Sequence, residues 1–189
     1  MCEAECLPRK ELYESWEVAR RTRRRFRGGR IVDLACGHGL VAYLMLLLDD
    51  SSPDALAVDT RLPKSAGKLA AAMEATWPRL AGRVTYEERS FDEVVITPTD
   101  VIVSTHACGA LTDRVLAKAV SARARVAVLP CCHDDETCDL GGLQGWMDAA
   151  LAIDVTRARA LAADGYHVYT QRIPEGITPK NRLLLGQPR

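Results

Sequence analysis

Two carboxylates bracket a glycine turn near the start of the chain. The apolar run Ile31-Val32-Asp33-Leu34 leads into Ala35-Cys36-Gly37-His38-Gly39, and a second run, Ala55-Leu56-Ala57-Val58, ends on Asp59. Paired glycines let a ligand come close to the main chain, and a carboxylate closing the next strand can accept hydrogen bonds from ribose hydroxyls. That is the chemistry of a nucleoside-cofactor site. Reactive side chains gather in two further clusters, Ser104-Thr105-His106-Ala107-Cys108-Gly109 and Pro130-Cys131-Cys132-His133. Histidine titrates near neutrality, so His106 and, after it, His133 are candidates to take a proton from an acceptor or to orient it. The thiols of Cys108, Cys131 and Cys132 can line a pocket wall, or join His133 and Cys138 around zinc. Neighbouring cysteines point to opposite sides of an extended chain and no C-x-x-C pair is present, so no metal ligand is assigned.

Hydrophobic periodicity supplies the elements that must hold these groups. Strands are expected at 30–34, 55–58, 84–87, 101–104 and 125–129, and helices at 40–48, 64–77, 111–121, 143–153 and 155–164. An antiparallel pair is expected at 166–173 and 182–186. An arginine-rich helix over about 10–27 precedes them, with Leu12 and Trp16 on its apolar face. Strands alternating with helices make a parallel sheet wound on both faces. The expectation is α/β: a Rossmann-like, doubly wound, seven-stranded, mostly parallel sheet with a C-terminal antiparallel β-hairpin, as one domain over 1–189. Ligands in such sheets bind beyond the carboxyl ends of the strands. That rule places residues 35–39, Asp59, residues 88–91, residues 105–110 and residues 130–134 on one rim. Thr60, Ser90 and Thr105 then flank the cofactor. Phe91 either stacks on adenine or packs in the core.

At 189 residues, 48% hydrophobic and 26% charged, the composition is that of an ordinary globular protein. A formal net charge of zero gives no global argument for nucleic acid. The apolar run 40–48 is far short of the ~18–20 residues that a membrane span needs. With Glu3, Glu5 and no apolar h-region the amino terminus does not read as a secretory signal. A cytoplasmic location is expected, in which the seven cysteines stay reduced. Charge is unevenly spread: Arg20, Arg21, Arg23, Arg24, Arg25, Arg27 and Arg30 put seven arginines in eleven residues. They can track phosphates, or pair with Glu11, Glu14 and Glu17 on the same helix. Both readings stay open.

Asp33 discriminates between cofactors. It suits the methionyl ammonium of S-adenosylmethionine, whereas a nicotinamide dinucleotide would bring a pyrophosphate that the carboxylate repels. Gly37-His38-Gly39-Leu40-Val41-Ala42 nonetheless fits the G-x-G-x-x-A form. The turn resembles motif I of the class I S-adenosylmethionine-dependent methyltransferases, D-x-G-C-G-x-G, with Ala35 in place of the first glycine. A narrower likeness follows. His106-Ala107-Cys108-Gly109 with Thr112-Asp113, and Pro130-Cys131-Cys132-His133, are similar to motifs of the tRNA acceptor-stem 2′-O-methyltransferases and of related methyltransferase-like proteins. Ile177-Thr178-Pro179-Lys180-Asn181-Arg182-Leu183 resembles a C-terminal signature of that wider group.

The resemblance spans about residues 30–186 and implies methyl transfer from S-adenosylmethionine. It implies that the cofactor is bound by Asp33, Ala35, Cys36, Gly37, Gly39, Asp59, Thr60, Ser90, Phe91 and Thr105. His106, Cys108, Gly109, Asp113, Cys131, Cys132 and His133 carry over from the two rim motifs, with the cysteines and Asn181 on the acceptor side. Lys180, Asn181 and Arg182 either reach an acceptor or lock the hairpin. The zinc module and length of the tRNA enzymes have no counterpart here, so a small-molecule oxygen or nitrogen acceptor is expected ahead of RNA. A nicotinamide-dependent oxidoreductase and a non-catalytic zinc- or cofactor-binding protein are the alternatives from other classes. No Tyr-x-x-x-Lys dyad supports the former.

Overall fold

Short aliphatic runs bounded by glycine, proline and aspartate become strands, and the longer runs between them become helices. A computed structural model describes residues 7–189; Cys2, Glu3, Glu5 and Cys6, and with them the expectation about the amino terminus, lie outside the described residues. Five strands run parallel: β1 (Ile31–Leu34), β2 (Ala55–Asp59), β3 (Val84–Glu88), β4 (Val101–Ser104) and β5 (Arg125–Val128). Between them come α2 (Leu40–Leu48), α3 (Ser65–Thr76) and α4 (Ala110–Ala122), with α1 (Arg9–Arg25) ahead of β1. After β5 follow α5 (Ala149–Ala163) and the antiparallel pair β6 (Tyr166–Arg172) and β7 (Arg182–Pro188). The sheet order is β3-β2-β1-β4-β5-β7-β6, so β7 lies between β5 and β6 and is antiparallel to both.

Side chains alternate across a strand with period two, and the core divides accordingly. Ile31, Val101, Val103 and Ala127 face Leu69 and Met73 of α3 and the almost wholly buried α2. Val32, Leu34, Ile102 and Val126 face Val115 and Leu116 of α4 and Leu161 of α5. Gly186 of β7 has no side chain because one would strike Leu161 and Tyr166, so α5 lies close against β7.

Two sequence expectations are corrected. The pair of helical stretches at 143–153 and 155–164 is one helix, α5, preceded by turns. It starts where Asp148 accepts a hydrogen bond from the Leu151 N–H at 3.0 Å, an ordinary N-cap, and it runs straight through Asp154. On α1, Trp16 is 39% exposed, while the helix buries Glu14, Ser15, Val18, Ala19, Thr22 and Arg23. The buried face is largely polar because it carries charges that have partners.

Those partners account for most of the arginine cluster. Arg20 and Arg21 both donate to Glu17. Arg23, only 2% exposed, donates to the Met45 carbonyl at 2.9 Å and to Ser52 Oγ at 2.7 Å, and lies 3.1 Å from Asp49. Arg27 also pairs with Asp49, Arg30 binds Asp100 at 2.7 Å, and Arg25 stacks on Tyr169. Burial pulls the Arg23 pKa down to about 10, still charged at neutrality. Arg125 closes the same end, donating to the carbonyls of Arg27, Gly28 and Thr99. Arg23, Arg27, Arg30 and Arg125 therefore join the strands at their amino ends, which we call the base of the sheet. Arg24 is exposed.

Candidate active site

The opposite, carboxyl end of the sheet carries the site. Strand alternation puts Asp33 on the face of Ile31, against α2. Asp33 is 1% exposed; its Oδ2 accepts from the Ala42 N–H at 3.3 Å and its buried Oδ1 has no partner. Burial drives this carboxyl well above the usual carboxylate range, against the opposing Ala42 hydrogen bond, and the charge of Asp59 adds to the rise. The chain then turns through three residues with positive φ, Ala35 (54°), Gly37 (53°) and Gly39 (75°). Ala35 is a non-glycine in the left-handed region, a conformation that costs ~1–2 kcal/mol and concentrates at functional turns.

The two glycines serve different ends. A Cβ on Gly39 would lie 2.6–2.8 Å from the Tyr86 ring, whose hydroxyl donates to the His38 carbonyl at 2.8 Å. A Cβ on Gly37 would meet nothing within 4 Å, so the open side of the turn is at Gly37. Adjacent parallel strands bring Asp59 to the same place: its Oδ2 accepts from the Gly37 N–H at 2.9 Å. Its Oδ1 faces the Arg61 N–H and the hydroxyl of exposed Thr60. Cys36 is packed beneath, 5% exposed, its thiol pushed up by burial and by Asp33 and Asp59. Tyr86 is a member of this turn that the sequence did not reveal, because it lies mid-strand in β3 rather than in a rim motif.

Beyond β3, Ser90 accepts from the Asp92 N–H and caps the short turn Phe91–Glu93. Phe91 takes the second of its two expected roles: it is 7% exposed in the core, with the Arg114 guanidinium 5.1 Å over its ring. Beyond β4, Thr105 is buried, the buried Ser104 Oγ has no partner, and His106 is half-buried.

A clamp from α5 holds the two histidine-cysteine loops. Arg157 donates to both oxygens of Asp113, at 2.7 and 2.8 Å, and to the Gly109 carbonyl at 2.9 Å. The Gly109 N–H in turn donates to the Cys132 carbonyl. His133, with a side chain 3% exposed, donates from Nε2 to Asp154 at 2.8 Å, and Arg182 binds the other Asp154 oxygen at 2.6 Å. Burial pushes the Asp154 carboxyl up, but hydrogen bonds from His133 and Arg182 outweigh it and hold the group below the usual range. The Nδ1 atom of His133 is buried without a partner. Asn181 Nδ2 donates to the Ile173 carbonyl at 3.1 Å, and the Ile173 N–H returns a bond to the Asn181 carbonyl, the hairpin-locking alternative. Asp154 and Arg157 were missed in the sequence because they sit mid-helix, outside any motif.

Of the suggested zinc set, Cys131, Cys132, His133 and Cys138 with Cys108 or His106 nearby, only the thiols of Cys108, Cys131 and Cys132 come together. His133 turns to Asp154, and Cys138 lies beside Arg157. A cleft of about 330 Å³ opens between α5 and β6–β7, lined by Pro130, Leu151, Asp154, Arg182 and Leu183 among others. Leu184 pairs with Val128 at the end of β5, so Arg182 and Leu183 lie at the same rim as the glycine turn.

Sheet order, the antiparallel strand beside β5 and the carboxylate-flanked turn at the carboxyl rim together define a class I methyltransferase fold. The chain belongs to a methyltransferase family: the family model described as a methyltransferase domain matches residues 10–137, about two thirds of the chain. No curated protein sequence matches it. Among solved structures, a tRNA methyltransferase of B. subtilis, TrmK, is similar with a TM-score of 0.60 at 14% identity, over 97% of this chain and 67% of that one. An O-methyltransferase-like protein of Nostoc punctiforme gives 0.60 at 15%, over 91% and 55%. An rRNA-methylase-like protein of Clostridium thermocellum gives 0.60 at 13%, over 90% and 93%. The chain spans about half the length of the O-methyltransferase-type proteins that it matches. Among the described residues no helix is long and apolar enough to cross a membrane.

Proposed function

We propose that this methyltransferase uses S-adenosylmethionine and methylates an oxygen or nitrogen of a small molecule. The observation that carries the cofactor assignment is Asp33: a fully buried carboxylate with one oxygen unpartnered, next to a turn whose open side is at Gly37. Burying an uncompensated anion is costly, and a cationic ligand removes the cost. A pyrophosphate would increase it. Asp33 would thus hold the methionyl ammonium, and Asp59 the ribose hydroxyls, in exchange for its bond to Gly37.

When bound, the cofactor supplies an activated methyl group on a sulfonium. The chain's own work is then positioning and proton removal. His106, half-buried on the loop after β4, is the first choice to orient the acceptor or take its proton. His133 is second: its Nε2 is committed to Asp154, which leaves only Nδ1 for such a role. The cleft beside Asp154 and Arg182 is of a size for a small acceptor. An RNA acceptor, as in the B. subtilis and Clostridium proteins, is the alternative; the engagement of most of the arginine cluster in ion pairs and packing counts against it. The reduced thiols suit a cytoplasmic location.

Calorimetric titration with S-adenosylhomocysteine tests this reading. Micromolar binding (about −8 kcal/mol) that Asp59→Ala weakens and NAD does not compete is the expected outcome. Binding of NAD with no response to S-adenosylhomocysteine overturns it.

A further inference from the structure

Three thiols from two different loops meet beside the rim. Cys108 Sγ lies 3.2 Å from Cys131 Sγ, Cys131 Sγ lies 3.6 Å from Cys132 Sγ, and all three sulfurs fall within 4.8 Å of one another. A tetrahedral zinc ion with Zn–S bonds of ~2.3 Å sets its sulfurs ~3.8 Å apart, so the spacing present is close to that of a ligand set. Sulfur displacements of no more than about 1 Å separate the two arrangements.

The convergence is built. Adjacent cysteines escape strand alternation because β5 ends at Val128 and residues 129–134 belong to no strand. The Gly109–Cys132 main-chain bond then ties this loop to the one carrying Cys108. Arg157 fixes the Cys108 loop from α5 through Gly109 and Asp113, and His133 fixes the other loop through Asp154. Cys108 and Cys132 are exposed and Cys131 is half-buried, which leaves a path for an ion to enter. Among the described residues no basic side chain is hydrogen-bonded to these three sulfurs.

We infer that Cys108, Cys131 and Cys132 are a three-thiolate site for one soft divalent cation of the zinc type, its fourth position left to water or another exogenous ligand. Neither His133 nor Cys138 belongs to it. In the free protein burial pushes the thiols of Cys108 and Cys131 up, so a cation enters by displacing their protons and binding weakens as pH falls.

The test uses the full chain, reduced, stripped of metal and titrated anaerobically with Cd2+. One equivalent is expected to raise the thiolate-to-cadmium charge-transfer absorbance in the ultraviolet. It is expected to protect Cys108, Cys131 and Cys132, and no other cysteine, from alkylation followed by mass spectrometry. Zn2+ is expected to displace it. Cys131→Ser removes the one-equivalent step, whereas Cys138→Ser and the double variant Cys2→Ser/Cys6→Ser retain it. Should Cys131→Ser fail to fold by circular dichroism, Cys132→Ser at an exposed position gives the same reading. Absence of a stoichiometric step, its survival in the Cys131 and Cys132 variants, or its loss in the Cys2/Cys6 variant overturns the site. So does a Cys108–Cys131 disulfide that forms in air while the reduced protein ignores the ion.

Discussion

The two ends of the sheet handle charge in opposite ways. At the base, Arg23, Arg27, Arg30 and Arg125 meet Asp49, Asp100 and main-chain carbonyls. At the rim, Asp33 Oδ1, Ser104 Oγ and His133 Nδ1 are three of the eight buried side-chain atoms without a hydrogen-bond partner among the described residues; Thr22 Oγ1 on α1 and Thr156 Oγ1 on α5 are others. Native structures leave few such groups unpaired, and Asp33 Oδ1 differs from the rest in being a carboxylate oxygen beside a turn whose open side is at Gly37. Charge density in the sequence pointed to the base; unmet hydrogen-bonding capacity points to the rim. Many arginines indicate binding only where their own partners have been ruled out.

Four substitutions probe the two ends. The largest effect belongs to the base. Arg23→Ala takes a buried partner from Asp49, Ser52 and the Met45 carbonyl at once, leaving Asp49 with Arg27, Gly28 and Ser51, and is expected to lower unfolding free energy by about 3 kcal/mol in urea titrations. The affinity of the folded fraction for S-adenosylhomocysteine stays unchanged. A loss below about 1 kcal/mol, the level of a surface pair, would put the base network on the surface in energetic terms. Asp33→Asn at the rim should do the reverse: affinity falls about 100-fold, or ~2.7 kcal/mol, with stability kept or raised. Its pH dependence has a definite sign. Folded Asp33 holds its proton more tightly than unfolded Asp33, so its contribution to stability declines as pH rises above the unfolded carboxylate pKa of ~3.9 and levels off only above the raised folded value. Denaturation curves across pH should lose that decline in Asp33→Asn. If Asp33→Asn instead unfolds the protein as Arg23→Ala does, the two ends are not different in kind. The smallest effect splits the two glycines. Gly39→Ala, which meets Tyr86, should cost about 2–3 kcal/mol of stability, and Gly37→Ala, with backbone strain alone, about 1 kcal/mol. Calorimetry should show the larger loss of cofactor affinity at Gly37.

Short continuous apolar runs and glycine punctuation made β1, β2, β4 and α2 legible almost to the residue, because local preference and tertiary need agree there. They diverge at α5. The two expected stretches, 143–153 and 155–164, break at Asp154. Asp154 is tolerated because His133 and Arg182 satisfy it, and the helix begins only at the Asp148 cap. On α1 the apolar positions Leu12 and Ala19 do pack against the core, but Trp16 turns outward and the buried side also carries Arg23 reaching Asp49, a partner 26 residues away that no periodicity encodes. The carboxylate-glycine turn was visible as a motif; the different tasks of Gly37 and Gly39 were not, since Tyr86 comes from another strand. The rim rule had already set Cys108 near Cys131 and Cys132; the alternation rule argued against their sharing an ion by treating a loop as a strand.

The position of β7 bears on how the molecule is made. Although β7 follows β6 in the chain, it occupies an interior place in the sheet, between β5 and β6. A nascent polypeptide that has emerged only through β6 therefore presents the open edge of β5, unpaired and rich in valine, and a β6 with nothing to join. Exposed edges of that kind recruit strands from other molecules. Arg182–Pro188 acts as the keystone of the sheet, and the interval before it is laid is when this protein is most exposed to aggregation and most in need of a chaperone.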